Sequence, residues 1–125
     1  MTVRLSPRAF ERLVASAVDA LPAEVVDALE NVAIMVQEWP SDEQLDYSGD
    51  DDPYGLLGLY EGIPQTDREG YNMALPDRIT LFQRPLEDAC NSRAELAEEV
   101  QVTVVHEIAH HLGWSDPDLE RLGYA

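Results

Sequence analysis

The N-terminal part of the chain places apolar side chains at the spacing of an amphipathic helix. Ser6-Pro7 is typical of a helix start, because it sets an N-cap before a proline at the first helical position. The apolar residues that recur on one face are Phe10, Leu13, Val14, Ala17, Val18 and Leu21. The pattern predicts a helix over residues 6–20, and Pro22, which ends it, can begin a second short helix that reaches about Leu29.

Three later segments are rich in residues that favour β-strands. The first is VAIMVQ, residues 32–37, in which alternate side chains are strongly apolar. The second is GLLGLYEGIP, residues 55–64, a short apolar run bounded by glycine and proline, and the third is RITLFQRP, Arg78 to Pro85. We therefore expect a small β-sheet.

The segment SDEQLDYSGDDDPYG, residues 41–55, is predicted to be a solvated loop. It carries six carboxylates together with two glycines and a proline. Carboxylates at this density are able to bind calcium, but their spacing does not fit an EF-hand loop, so calcium is not expected. The charge of the exposed positions around Asp50 to Asp52 would favour basic substrates.

The strongest helical signal lies near the C-terminus. Ser92 and Glu95 have the spacing of a capping box, and neither glycine nor proline then occurs before Gly113. The predicted helix of about twenty residues has one apolar face that should pack on the strands. That face consists of Ala97, Val100, Val104, Ile108 and Leu112.

The end of this helix carries the pattern H-E-x-x-H. His106 and His110 are four residues apart, so both imidazoles project from one face, one turn from each other, and can bind one metal ion. Glu107 lies close to the same face, where a carboxylate can hold and deprotonate a metal-bound water. His111 lies about 100° around the helix from His110 and is not expected to bind the same ion.

A catalytic zinc site needs a third protein ligand and one open position. Gly113 can adopt the positive φ that turns the chain back, and Asp116, three residues further on, would then return a carboxylate to the ion. The extended pattern is H-E-x-x-H-x-x-G-x-x-D. Asp116 also precedes Pro117 and can instead be the N-cap of a terminal helical turn, so capping and ligation compete for one side chain. Trp114 is expected to cover the end of the helix.

Length and composition fit one soluble domain spanning residues 1–125. The 25 acidic and 8 basic side chains give a net charge of −17, which repels nucleic acids and anionic membranes and attracts cations. The N-terminus lacks the apolar run of a signal peptide, and no segment approaches a membrane span. Together with a single cysteine, Cys90, these features predict a cytoplasmic protein.

The sequence resembles the small bacterial zincin-like metallopeptidases, which are described as having a minimal metalloprotease fold. The segments that carry the resemblance are EVVDALENVAIMVQEWPS, GLLGLYEGIPQTDR, DRITLFQRPLEDAC and VVHEIAHHLGWSD. The resemblance implies an α+β, zincin-like fold in which a small sheet packs against a long C-terminal active-site helix and N-terminal helices. It also implies Zn²⁺ on His106, His110 and Asp116, with Glu107 as the general base.

The first functional hypothesis is a zinc-dependent peptidase that hydrolyses peptide bonds through a zinc-bound water activated by Glu107. A peptide or protein substrate would lie along a sheet edge, for which GLLGLYEG is the candidate strand. Tyr60, Tyr71 and Tyr124 are candidate donors to the oxyanion of the transition state.

The alternative is a metal-binding or protein-interaction module with the same fold but without significant turnover. Only nine residues follow Asp116, which leaves no room for the methionine turn of metzincins and favours a shallow cleft. The glutamate favours the peptidase, since zinc binding alone does not require it. A closed structural zinc is disfavoured, because such sites are rich in cysteine and Cys90 is distant along the chain from His106.

Overall fold

Six helices and three strands lie within residues 3–50, 52–62 and 76–124, the ranges that a computed structural model describes. In chain order they are α1 (Pro7–Asp19), α2 (Ala23–Ala28), β1 (Val32–Gln37), α3 (Asp42–Ser48), β2 (Gly58–Glu61), β3 (Asp77–Phe82), α4 (Gln83–Asp88), α5 (Arg93–Leu112) and α6 (Asp116–Leu122). The predicted α+β class is confirmed, and the long helix α5 packs on a small mixed sheet. Within the described ranges, no helix is long and apolar enough to span a bilayer.

The sheet has the order β1-β3-β2, with β3 in the centre. β1 runs parallel to β3 and β2 runs antiparallel to it, so Ile34 and Tyr60 flank Ile79 from opposite sides. Both faces of β3 are covered, and its last four residues, 79–82, are all buried. β2 is therefore an edge strand, and α5 lies close to it.

The core forms where α1 and α5 pack together over the sheet. Ser6 caps α1 by accepting a hydrogen bond from the N–H of Ala9, as the sequence predicts. The predicted apolar face of α5 is buried at Val100, Val104 and Ile108. The prediction is wrong for Leu112, which is 48% exposed, because the last turn of α5 extends past the core.

The acidic segment is not a loop throughout, since residues 42–48 form α3. Ser41 and Gln44 make a complete capping box, and Gly49 ends the helix with φ 77°. Carboxylates at the first two positions of α3 also interact favourably with the helix dipole. These local signals outweigh the general polarity on which the loop prediction was based.

The third predicted strand is too long at its end. β3 stops at Phe82, and the following residues turn into α4. Pro85 is compatible with this helix because it occupies the first turn, where backbone N–H groups have no partner within the helix.

Glu87 of α4 is fully buried and fixes the residues that precede α1. Its Oε2 accepts from the N–H of Leu5 at 2.9 Å and from Nε2 of Gln83 at 3.1 Å. Its Oε1 accepts from Nη1 of Arg84 at 2.6 Å and from Nη1 of Arg4 at 3.4 Å. A buried carboxylate with this many donors is stable only while all of them remain in place.

Candidate metal centre

Helix α5 presents the two histidines of the H-E-x-x-H pattern to solvent. His106 and His110 are both exposed one turn apart, whereas Glu107 is half-buried. Ser92 caps the start of α5 through the N–H of Glu95, but the Glu95 carboxylate accepts from Asn91 N at 2.6 Å instead of closing the predicted box on Ser92.

Glu107 is held by the edge strand. Its Oε1 accepts a hydrogen bond from the main-chain N–H of Tyr60 at 2.9 Å. Burial raises the pKa of Glu107 above its usual range, although the Tyr60 N–H, His110 and His106 oppose this effect. A raised pKa makes the carboxylate a stronger base, which suits a group that accepts a proton from water.

The side chain of Tyr60 is fixed at two further points. Its ring stacks on the His111 ring, with the centroids 3.9 Å apart and an interplanar angle of 15°. Its hydroxyl donates to Oδ2 of Asp77 at 2.7 Å. Burial, followed by this hydrogen bond, raises the pKa of Tyr60. The Tyr60 hydroxyl is thus bonded to Asp77 and not to Glu107. His111 stacks on the Tyr60 ring and lines the space beside Glu107.

A cleft of about 600 Å³ opens beside Glu107. Three elements border it: α5 through Glu107 and His110, β2 through Tyr60, and the end of α3 through Tyr47 together with the following Asp50. A smaller cavity of about 250 Å³ lies on the other side, and Glu107 lines both. The glutamate therefore borders both cavities, which lie in the groove between β2 and α5.

Beyond α5 the chain turns as predicted. Gly113 adopts φ 72°, and the N–H of Trp114 donates to the carbonyl of Ala109 at 2.9 Å. Trp114 is half-buried against the core, which agrees with its predicted place over the helix end.

Asp116 is the first residue of α6, and it is not the N-cap. Ser115 caps this helix and forms a complete capping box with Asp118. The predicted competition between capping and ligation is thereby removed, since the exposed Asp116 carboxylate is not needed for the cap. Helix α6 is anchored to α2 through Arg121, whose guanidinium donates to both carboxylate oxygens of Glu24 at 2.9 and 2.8 Å.

His106 contacts the residue that follows α6 and its C-cap. Its Nε2 lies 3.1 Å from the carbonyl oxygen of Tyr124. Tyr124 therefore approaches His106 with its main-chain carbonyl group. The third candidate oxyanion donor, Tyr71, lies outside the described residues.

The donor set fits zinc in its chemistry, because two imidazoles and a carboxylate are accessible at the end of one helix and the start of the next. The structure does not bring the three predicted ligands together around one point. Across residues 3–50, 52–62 and 76–124, no three His, Cys, Asp or Glu side chains are grouped so that they could hold one ion. His106 and His110 lie one turn apart on α5, and ligation of a metal by His106, His110 and Asp116 remains a prediction.

Sequence reasoning missed two contributions to this site. One is the clamp on Glu107 by the Tyr60 main chain, which no side-chain pattern reveals. The other is the Tyr60–His111 stack, for which the only signal is a histidine placed beside the motif without a ligand role. Both depend on the packing of β2 against α5.

Comparisons with known proteins identify the family of the chain. The family described as zincin-like metallopeptidase matches residues 29–124. The chain therefore belongs to the zincin-like metallopeptidase family, which is a family of hydrolases. None of the curated proteins matches the chain. Among solved structures it is similar to a conserved hypothetical protein from Thermo thermophilus, with 21% identity, a TM-score of 0.49, and coverage of 86% of this chain and 94% of that one.

Proposed function

We propose that this protein is a zinc-dependent peptidase in which Glu107 is the general base. The observation that carries the proposal is the position of Glu107, half-buried in a groove, held by the Tyr60 N–H and flanked by two exposed histidines one turn apart. A carboxylate that served only the surface of the helix would not need a main-chain donor from a neighbouring strand. The family assignment supports the same chemistry.

His106, His110 and Asp116 would hold the zinc. When bound, zinc acts as a Lewis acid that polarises a carbonyl group and makes water more acidic. Glu107 takes one proton from the attacking water, whose oxygen forms a bond to the carbonyl carbon of the peptide. As the C–N bond breaks, Glu107 passes that proton to the leaving amine.

The edge of β2 offers a place for an extended peptide. Leu57 accepts from the N–H of Phe82 at 3.0 Å, so by the alternation of an antiparallel ladder Leu57 and Leu59 bond towards β3, whereas Gly58 and Tyr60 face outwards. The Tyr60 N–H agrees with this, since it reaches Glu107. Both main-chain groups of Gly58 and the carbonyl of Tyr60 would remain to pair with a substrate strand beside the general base.

Metal content tests the ligand set. Elemental mass spectrometry of the purified protein should find about one zinc per chain, and clearly less in Asp116→Ala. Asp118→Ala is the matched control: it removes a neighbouring carboxylate and half of the α6 capping box, yet should keep zinc. Loss of zinc in both variants would mean that α6 matters as a helix and not through the Asp116 ligand. A wild-type protein that takes up no zinc at neutral pH would overturn the proposal.

Cleavage tests the role of Glu107. A library of internally quenched peptides should be hydrolysed by the zinc-loaded wild type and not by Glu107→Gln, while both proteins keep the metal. Equal behaviour of the two proteins would support the alternative, a metal-binding or protein-interaction module without turnover.

The charge of the chain supports a peptide or protein as the partner. A net charge of −17 disfavours nucleic acids and anionic membranes through like-charge repulsion. Binding to duplex DNA or to anionic vesicles at moderate salt would contradict this part of the proposal.

A further inference from the structure

The cleft beside Glu107 has a fixed negative charge on its far wall. Asp50 borders the same cleft as Glu107 and His110, but it comes from the segment after α3. Gly49, the C-cap of α3, turns the chain so that Asp50 follows at the rim. The carboxylate is therefore carried by an element separate from the metal-binding helix.

The position of Asp50 is constrained by its own segment. Its N–H donates to the carbonyl of Leu45 at 3.1 Å and lies 3.3 Å from Oγ of Ser48. Its Oδ1 accepts from the N–H of Asp52 at 3.0 Å. Because the main chain and one carboxylate oxygen are both tied down, the charge keeps a defined place relative to the cleft.

No cation neutralises this carboxylate among the described residues. Every ion pair in those ranges joins other side chains, and none of the described residues that line the cleft is an arginine or a lysine. Arg78 on β3 is paired with Glu61, its partner on β2, at 3.2 Å. A ligand can thus supply the missing positive charge.

The rest of the cleft suits the stem of a long basic side chain. Leu56 and Leu59, which are 8% and 7% exposed, form an apolar floor, and the Tyr47 ring, 67% exposed, is available to stack on a cation. Lysine and arginine combine an aliphatic stem with a cationic end, so the stem can contact the apolar floor while the cation reaches Asp50. An acidic side chain would meet both Asp50 and Glu107.

We propose that Asp50 is a specificity-determining residue, which selects peptides with an arginine or lysine side chain beside the bond to be cleaved. This inference rests on the proposed peptidase function, because only a peptidase has a bond to be cleaved. The binding preference that it predicts is measurable without cleavage.

The test uses the Glu107→Gln protein with equimolar zinc and a fluorescein-labelled set of peptides. All peptides share one eight-residue backbone, in which arginine, glutamine or glutamate occupies each position in turn. Fluorescence anisotropy should show that arginine at one or two positions strengthens binding about five- to tenfold over glutamine. Added salt should reduce the difference.

Two isosteric variants decide whether Asp50 is responsible. Asp50→Asn should abolish the preference for arginine, so that arginine and glutamine peptides bind with similar affinity, and an asparagine Oδ1 can still accept from Asp52. Asp52→Asn removes the same charge at an exposed position whose Oδ1 accepts from the Tyr54 N–H, and it should keep the preference. A preference that survives in Asp50→Asn, or falls equally in both variants, would overturn the inference, as would the absence of any arginine preference.

The same set separates this inference from the proposed function. If wild type cleaves nothing while arginine peptides bind through Asp50, the peptidase proposal fails and the basic-peptide cleft stands. If wild type cleaves peptides without regard to arginine, and Asp50→Asn cleaves them equally well, the peptidase proposal stands and the role of Asp50 fails.

Discussion

The main-chain N–H of Tyr60 donates to Oε1 of Glu107 across 2.9 Å, and this bond joins the edge strand to the helix that bears the histidines. The two residues are 47 positions apart in the chain. The Glu107 carboxylate is thus oriented by the sheet, whereas His106 and His110 are positioned by the helix alone. The geometry of the site depends on how closely β2 approaches α5.

Gly58 sets the distance of that approach. A Cβ added at Gly58 would lie 2.6 Å from Cγ2 of Thr103 on α5 and 3.3 Å from the carbonyl oxygen of Thr80. We expect Gly58→Ala to destabilise the fold by about 1–3 kcal/mol and to reduce peptide cleavage, because β2 must move away from Glu107. Urea unfolding and turnover measure the two effects.

The control for this substitution is Gly55→Ala, where the added Cβ would meet no atom closer than 3.5 Å. Its stability should change little. Adding Thr103→Ser to Gly58→Ala removes the clashing methyl and should recover much of the loss. A Gly58→Ala protein as stable as wild type, or a loss of stability that Thr103→Ser does not recover, would show that the contact is unimportant.

Tyr60 should act through its ring and main chain more than through its hydroxyl. Tyr60→Phe removes the hydrogen bond to Asp77 and should cost about 1 kcal/mol of stability, while turnover stays within about twofold because the His111 stack and the N–H remain. Tyr60→Ala should lower kcat by about tenfold or more through misplacement of the base. Steady-state kinetics on one fluorogenic peptide distinguish these outcomes, and a collapse of kcat in Tyr60→Phe would instead indicate an oxyanion donor.

Glu87 should be the most sensitive polar residue far from the site. Glu87→Gln keeps the shape of the side chain, but its amide NH₂ group would face N–H donors that the carboxylate accepts from. We expect it to destabilise the fold by about 3–5 kcal/mol. Asp88→Asn, which affects only a partly exposed pair with Arg4, should cost less than about 1 kcal/mol. Similar urea midpoints for the two variants would contradict the assignment of Glu87 as a buried anchor.

Cys90 should be unreactive in the folded protein. Burial, with a smaller contribution from Glu99 and Glu95, raises the pKa of the Cys90 thiol to about 11. The raised value means that the folded state favours the neutral thiol, so this contribution to stability is complete below the pKa of the unfolded thiol and is lost as the pH rises towards 11. Labelling with a thiol reagent at pH 8 should therefore be slow in buffer and rapid in urea, and rapid labelling in buffer would refute burial of the thiol.

The sequence predicts most of the elements because their signals are local. The proline and serine at the start of α1, the uninterrupted run of α5 and the positive φ of Gly113 each depend on a few neighbouring residues. The predictions are wrong where polarity or alternation is the only signal: residues 42–48 form α3 and not a loop, as the spacing of Ser41 and Gln44 favours, and β3 ends at Phe82, before α4.

In the candidate site, too, local features could be predicted from the sequence and long-range contacts could not. The spacing of His106 and His110 on one face follows directly from helix geometry. The donor to Glu107, the aromatic contact of His111 and the wall at Asp50 could not be predicted, since each requires the order of the strands and the position of α3. No single sequence specifies such long-range contacts through a local pattern.

The two faces of α5 have a consequence for how the site would move. Buried residues such as Val104 and Ile108 fill the core from the same turns that carry the histidines, so amide hydrogens there should exchange with solvent only when the whole domain opens. Helix α6 has seven residues, none of them buried, and can open locally at lower cost. An ion would therefore meet two predicted ligands on a helix that is packed into the core and a third on a helix with no buried residue, so that binding by the imidazoles would come first and binding by the carboxylate would follow as a separate event.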